Sequence, residues 1–321
     1  MAELTERTRP ARRVTVSVVI PTVNRPLLVV RAVRSALAQT VPPHEVIVVL
    51  DGTDDEDVSG VRGIADPRIR LLSTGGGSHD AGATARNLGI QCATGTWVAL
   101  LDDDDEWLPN KLERQLAAVD RPSGDENVVV SSMVERRSSH QSTVWPVRPI
   151  GHGERVADYL FVREVPGEGW LPTPTLMVPR WAAATTPFDT GLKQHEDLDW
   201  LLRLEAQGAR FVVVPETLAI VHVSSGVSLS NSAQWLDSLN WARDRRAALG
   251  ERAYSAFCLT EVSRLARRQP SLKAFATITQ EALSAKPRLV DVAQFVVSWL
   301  VPGSLAGRIN RVRLAFAARH S

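Results

Sequence analysis

Cysteine is nearly missing from this chain. Its 321 residues include two, Cys92 and Cys258, far apart and without other ligand-type residues at metal spacing around them. That excludes a disulfide framework or a zinc site and suits a reducing cytoplasm. Excess charge is missing as well: 37 Lys and Arg stand against 36 Asp and Glu, a formal net charge of +1. With no basic arm and no strongly basic balance, nucleic acid is not expected as a partner. No apolar run reaches the roughly eighteen residues that a membrane-spanning helix needs. The N-terminal stretch is charged at Glu3, Glu6, Arg7, Arg9, Arg12 and Arg13 and lacks the apolar centre of a secretory signal. What remains is a chain long enough to bury a large core, with room for one main domain and an appendage.

What the sequence does have is a run of acid in a telling place. Trp97-Val98-Ala99-Leu100-Leu101 is an apolar stretch of strand length that ends in Asp102-Asp103-Asp104-Asp105-Glu106. The following Trp107-Leu108-Pro109 opens a helix over Asn110 to Val119, with proline in the first turn. In an open α/β sheet, ligands sit outside the carboxyl ends of the strands. Adjacent carboxylates resist ionising together, and a hard divalent cation relieves that conflict, taking one or two carboxylates plus substrate phosphates. A metal–diphosphate site is one reading, and a solvated acidic turn is the other.

The rest of the first half repeats the pattern. Val14 to Ile20 is a β-branched run expected as a buried strand, ended by Pro21 and the loop Thr22-Val23-Asn24-Arg25-Pro26. Leu27, Val30, Val33, Leu37 and Ala38 recur at helical spacing opposite a basic face that includes Arg31 and Arg34. Glu45 to Leu50 is a second strand that again ends in acid, Asp51-Gly52-Thr53-Asp54-Asp55. Ile69 to Leu72 is a third strand, Gly75-Gly76-Gly77 reads as a flexible loop, and Ala83 to Cys92 as a helix. Alternating strands and helices predict a mainly parallel sheet with right-handed crossovers. Two successive strand ends carrying aspartate gather acid at one sheet edge, as a ligand site would.

Four segments together resemble family 2 glycosyltransferases: Val16 to Pro21, Val49-Leu50-Asp51-Gly52-Thr53-Asp54, Ala85-Arg86-Asn87-Leu88-Gly89-Ile90 with Ala93-Thr94-Gly95, and Leu101 to Pro109. The resemblance covers roughly residues 14–225. It implies an inverting enzyme of the GT-A fold, a Rossmann-like, mainly parallel mixed sheet flanked by helices, here with a helical C-terminal appendage. It implies a nucleotide-diphosphate sugar donor, Mn²⁺ or Mg²⁺ as cofactor, and Asp102-x-Asp104 as the metal motif. Asp51 would contact the nucleobase and Arg86 would lie near the nucleotide, with Pro21, Thr22, Asn24, Arg25 and Asp103 in the same nucleotide-binding set. Family members often have Asp where Leu50 stands and a small residue where Asp103 stands. Read from the residues alone, Asp51 is equally a cap for the Thr53–Asp57 turn. Arg86 is a planar donor fork or a surface arginine.

The second landmark is Lys193-Gln194-His195-Glu196-Asp197-Leu198-Asp199-Trp200-Leu201-Leu202. Leucine spacing makes it a helix with Glu196 and Asp197 in the first turn, where negative charge is favoured with no catalysis involved. The resemblance instead makes Asp197 the general base and gives Glu196 an orienting or acceptor-binding role, with His195 a neighbour. Asn127 to Met133, Phe211 to Val214 and Leu218 to Val223 read as further strands, and Leu171 to Val178 as extended. His222 is a candidate metal or phosphate ligand, with Ser224 and Ser225 competing for that position. Between residues 134 and 170, Trp145, Tyr159, Phe161 and Trp170 suit an acceptor-facing wall. Trp170 is taken as an acceptor contact, against its alternative as plain core.

The expected organisation is a flexible N-terminus over 1–13 and a catalytic domain over 14–231. The latter divides into a nucleotide-sugar half, 14–119, and an acceptor half, 120–231. Residues 232–321 form a helical region. Residues 289–319 make a basic amphipathic stretch that suits the inner face of a membrane, or packing against the domain or a second copy of the chain. The acceptor is a saccharide, a lipid-linked sugar or a small molecule, in polysaccharide, glycolipid or natural-product synthesis. Two rivals stand beside this reading: a nucleotide-sugar-binding protein without catalysis, and a phosphotransfer enzyme of the haloacid dehalogenase type.

Overall fold

The β-branched runs become the centre of a nine-stranded sheet. The computed structural model describes residues 14–52, 58–78, 80–120, 124, 126–139, 141–165, 167–223 and 234–300. The expected N-terminal tail over 1–13, the Thr53–Asp57 turn, Ser224, Ser225 and residues 301–321 lie outside the described residues. In chain order the first half is β1 (Val16–Thr22), α1 (Pro26–Leu37), β2 (Glu45–Leu50), α2 (Ser59–Arg62), β3 (Ile69–Ser73), α3 (Ala83–Cys92), β4 (Trp97–Leu100), β5 (Glu106–Trp107) and α4 (Lys111–Ala117). Then come β6 (Val128–Arg137), β7 (Ser142–Trp145), α5 (Val156–Phe161), β8 (Met177–Pro179), α6 (Arg180–Thr185), α7 (Glu196–Ala206) and β9 (Arg210–His222). The C-terminal helices are α8 (Trp235–Asp244), α9 (Arg246–Phe257), α10 (Ser263–Ala266), α11 (Leu272–Leu283) and α12 (Leu289–Leu300).

Strand order is β3-β2-β1-β4-β8-β6-β9-β5, with β7 on β6. The parallel register of β1 with β2 and β4 carries the first two acidic strand ends to one edge. β8 runs antiparallel to both β4 and β6, so β6 points the same way as β4. That direction later proves important. The α3 helix lies close on this sheet because Gly89 has no side chain: a Cβ there would sit 2.4 Å from Val19 Cγ1.

Proline placement departs from the sequence reading in three places, each for a physical reason. Pro21 does not end β1, which runs on to Thr22. Thr15 and Val19 bond towards β4, so Pro21 faces that side too, and β4 stops opposite Val19. The N–H that Pro21 lacks therefore has no strand partner to lose. β9 is one strand, Arg210–His222, rather than two, because the register of β6 against β9 slips past Pro215 in a bulge. Pro109 lies just outside α4, with Asn110 at the N-cap. Leu171 to Val178 is likewise not wholly extended, since Thr173–Thr175 make a 3₁₀ turn.

The C-terminal helices are less of an appendage than expected. One apolar cluster runs from Val19 and Ile47 under the sheet through Trp200 and Leu201 to Phe257, Ile278 and Phe295. Polar ties reinforce it: the fully buried Asp199 of α7 accepts from Arg203 and, at 2.6 Å, from Arg245. Cys92 and Cys258 are both free. Among the described residues no helix is long and apolar enough to cross a membrane.

Candidate active site

The acidic run is held in place by its own side chains. Asp103 turns inward, 5% exposed, with one carboxylate oxygen accepting from Thr22 Oγ1 and the other from Arg25, both at 2.8 Å. This explains the unusual charge in the middle of the motif: it ties the end of β1 to the acidic turn, so both oxygens are engaged within the protein. Burial nevertheless pushes its carboxyl up to about 6. Asp104 shares Arg25, at 2.8 Å, and its carboxyl is raised by burial and by Asp102. Asp105 is buried, accepts the backbone N–H of His222, and is raised further by the same two causes. The basic face of α1 supplies the cations: beside Arg25, Arg31 lies 3.4 Å from Glu106 and donates to the Asp104 carbonyl. Behind the turn, the fully buried Lys111 lies 4.0 Å from the centre of the Trp107 ring and bonds Gln115, and burial pushes its amine well below the usual lysine range.

Arg86 is the hub. It is buried on α3, donates to Asp102 at 2.8 Å, and lies 3.5 Å from Glu196 on α7. Residues 16 and 110 positions apart thereby meet around one guanidinium. Asp197 is close enough to add to the field on Arg86. It is half-buried, with Oδ1 accepting the Leu198 N–H; among the described residues Oδ2 has no hydrogen bond. His195 precedes the pair with φ 65°, a left-handed conformation rare for a residue with a side chain. Its ring is fixed by Ser238 Oγ at 2.7 Å and packs on Trp241 and Phe257, a neighbour in a supporting position.

Glu196 feels burial first and Asp197 second, which together push it up to about 8. Its contact with Arg86 is too long to offset that, since the shorter bond goes to Asp102. The neutral carboxyl is therefore the resting form. A glutamate in the unfolded chain titrates near 4.5. The folded state then holds the extra proton between those values, and stability falls as pH rises from about 4.5 towards 8. Glu196→Gln cannot lose that proton. Urea midpoints of the variant and the parent, measured without metal, are expected to agree near pH 5 and to separate in favour of the variant by pH 8. Equal slopes against pH would show that Glu196 is already ionised in the fold.

Asp51 stands just past the β2 end; the Thr53–Asp57 turn that it could cap lies outside the described residues. Its carboxylate accepts from Thr74 Oγ1, Ser78 Oγ and the Ser78 N–H, so it fastens the Gly75–Gly77 loop beside the β2 end. Asn24 adopts φ 53° between the β1 end, which carries Pro21 and Thr22, and Arg25 at the start of α1. His222 meets Glu106 through Nε2 at 2.6 Å and donates its backbone N–H to Asp105. Trp170 packs against the core and meets Trp145 edge-on at 5.8 Å.

Among the described residues no three His, Cys, Asp or Glu side chains converge as a complete cation cage. Asp102 and Asp104 nevertheless suit a hard divalent ion. Their oxygens are close enough to raise Asp104, and Mg²⁺-type sites commonly draw their remaining ligands from substrate phosphates and water.

The family model for glycosyl transferase family 2 matches residues 17–171. The amylovoran biosynthesis glycosyltransferase AmsB of Erwinia amylovora is 32% identical over 253 residues, 74% of this chain and 82% of that protein. The chain belongs to glycosyltransferase family 2. The Escherichia coli UDP-Glc:alpha-D-GlcNAc-diphosphoundecaprenol beta-1,3-glucosyltransferase WfgD is 35% identical over 102 residues, 32% of this chain and 40% of that one. The fold is that of S. aureus TarS 1–349, solved in complex with UDP-GlcNAc. The TM-score is 0.63 at 16% identity, over 84% of this chain and 81% of that one. This glycosyltransferase thus has the GT-A-like mixed sheet that its sequence pattern implied.

Two features of the site escaped the sequence reading. The cations that organise the acidic turn were visible as the basic face of α1, but nothing in the spacing said which acids they meet. Arg136 and its stack on Trp145 gave no signal at all.

Proposed function

We propose that this glycosyltransferase moves a sugar, with inversion and with help from a divalent cation, from a nucleoside-diphosphate donor to an acceptor hydroxyl. The arrangement that carries this reading is Arg86, which joins Asp102 of the acidic turn to the Glu196–Asp197 pair. Asp102 and Asp104 would hold Mg²⁺ or Mn²⁺, which when bound offsets charge growing on the departing diphosphate. Asp51 and the Pro21–Arg25 loop take the nucleoside end. The acceptor oxygen bonds to the anomeric carbon as the bond from that carbon to the diphosphate oxygen breaks. The hydroxyl proton passes to Asp197. Neutral Glu196 would donate a hydrogen bond that orients the acceptor without adding a second negative charge.

Relatives named for amylovoran synthesis and for transfer onto a diphosphoundecaprenol-linked sugar support a role in polysaccharide or glycolipid synthesis. A peripheral contact at the inner face of a membrane fits α12, whose Leu289 and Leu300 are 88% and 77% exposed.

Thermal shifts with uridine, guanosine and thymidine diphosphates, each with and without Mn²⁺, test the donor and cation together. Uridine diphosphate is expected to stabilise the protein, more so with Mn²⁺, and Asp104→Asn is expected to erase the Mn²⁺-dependent part. A protein that no diphosphate stabilises, or a variant with the full Mn²⁺ response, would overturn the reading.

A further inference from the structure

Arg136 is a half-buried arginine that meets no anion among the described residues. Its neighbours on β6, Glu135 and Arg137, pair with each other at 2.7 Å. Arg136 instead lies over two indoles, its guanidinium carbon 4.2 Å from the ring centre of Trp145 and 5.8 Å from that of Trp170. Among the described residues it has neither hydrogen bond nor ion pair, and burial alone lowers its pKa. The indoles are held at right angles to each other, and Gly167 packs so near Trp145 that a Cβ there would come within 2.3 Å of the ring. The cluster is therefore built, not loose.

Its place in the sheet is decisive. Val130 of β6 is level with Met177, and Met177 is level with Ala99 of β4. Because β6 and β4 run the same way, Arg136, the last residue but one of β6, and Asp102, just beyond β4, both lie towards the carboxyl ends of their strands. Arg136 is also paired in register with Val221, beside the His222 whose ring meets Glu106 of the acidic turn. The aromatic corner, with a cation that among the described residues is unmatched, thus stands towards the same sheet edge as the candidate active site, in its acceptor half.

We propose that Arg136, Trp145 and Trp170 form an acceptor subsite for a sugar bearing an anionic group, either a phosphate or a carboxylate. Indole faces take the apolar C–H faces of a sugar ring, and a planar guanidinium forks onto two oxygens of a phosphate or carboxylate. Partial burial strengthens that pairing and leaves a neutral sugar with nothing to satisfy the charge. The proposal rests on the reading of Trp170 as an acceptor contact.

The test is ligand-observed NMR titration with glucose 1-phosphate, glucuronic acid, methyl glucoside and inorganic phosphate. Excess uridine diphosphate and Mn²⁺ are present to fill the donor site. Glucose 1-phosphate or glucuronic acid is expected to bind at least about tenfold more tightly than methyl glucoside, the scale of one charge-assisted hydrogen bond. Which of the two binds identifies the anion. Arg136→Gln is expected to abolish the preference, Arg136→Lys to keep part of it, and Trp170→Ala to weaken every sugar. The thermal shift with uridine diphosphate, unchanged in Arg136→Gln and Arg136→Lys, confirms that both remain folded. Inorganic phosphate binding as tightly as glucose 1-phosphate would overturn the sugar assignment. A preference that survives in Arg136→Gln, with weaker binding in Trp170→Ala, would overturn the charge inference and leave Trp170 as an acceptor contact. Sugar binding untouched by either variant would remove the acceptor reading itself.

Discussion

Asp197→Asn is expected to lower kcat by roughly 10²–10⁴-fold, the range for loss of a positioned general base. The KM for the donor should stay near its parent value. Asparagine preserves the shape and can still accept the Leu198 N–H through its carbonyl oxygen, so α7 should start as it does now. What it cannot do is take the acceptor proton. The proposed donor contacts lie on other elements, at the ends of β1, β2 and β4, and none of them involves Asp197. Steady-state kinetics with a detected product, alongside thermal shifts with uridine diphosphate, would separate the two effects. Normal turnover in the variant would remove Asp197 from the chemistry.

Arg86→Gln is expected to lose stability as well as activity. The arginine side chain is 8% exposed and its charge faces Asp102, Glu196 and Asp197. Removing one partner of a buried ion pair costs about 3–5 kcal/mol, because the other charge is left uncompensated. The lower end applies here for two reasons: Asp102 is 27% exposed, and Glu196 rests in its neutral form. For a chain of this size that amounts to a fall in Tm of roughly 5–10 °C. Arg86→Lys should recover only part of it, since a single ammonium cannot reach Asp102, the Ala81 carbonyl and Glu196 as the guanidinium does. A melting temperature unchanged in Arg86→Gln would show that the two halves do not depend on this bridge.

Much of this site could be read before any coordinates. The strand over Glu45–Leu50 and the helix over Ala83–Cys92 stand where periodicity put them, because continuous β-branched runs and a 3.6-residue apolar stripe are local signals. Glu196 and Asp197 open α7 as the leucine spacing required. Where Pro21 was taken as the end of β1, the reading failed. A proline's cost depends on whether a neighbouring strand needs the missing N–H, and at Pro21 none does.

The sequence by itself determined that acids collect at strand ends and that a later helix begins in carboxylates, since both follow from order and spacing along the backbone; its motifs resembled family 2 glycosyltransferases. Only the tertiary structure decided which charges face each other. Asp103 turns inward to Thr22 and Arg25, Arg86 spans from Asp102 to Glu196, and Arg136 lies over two indoles with no counter-ion among the described residues. Pairing between charges far apart in the chain is set by sheet order and by which groups lose their water together. Neither leaves a periodic trace in the sequence.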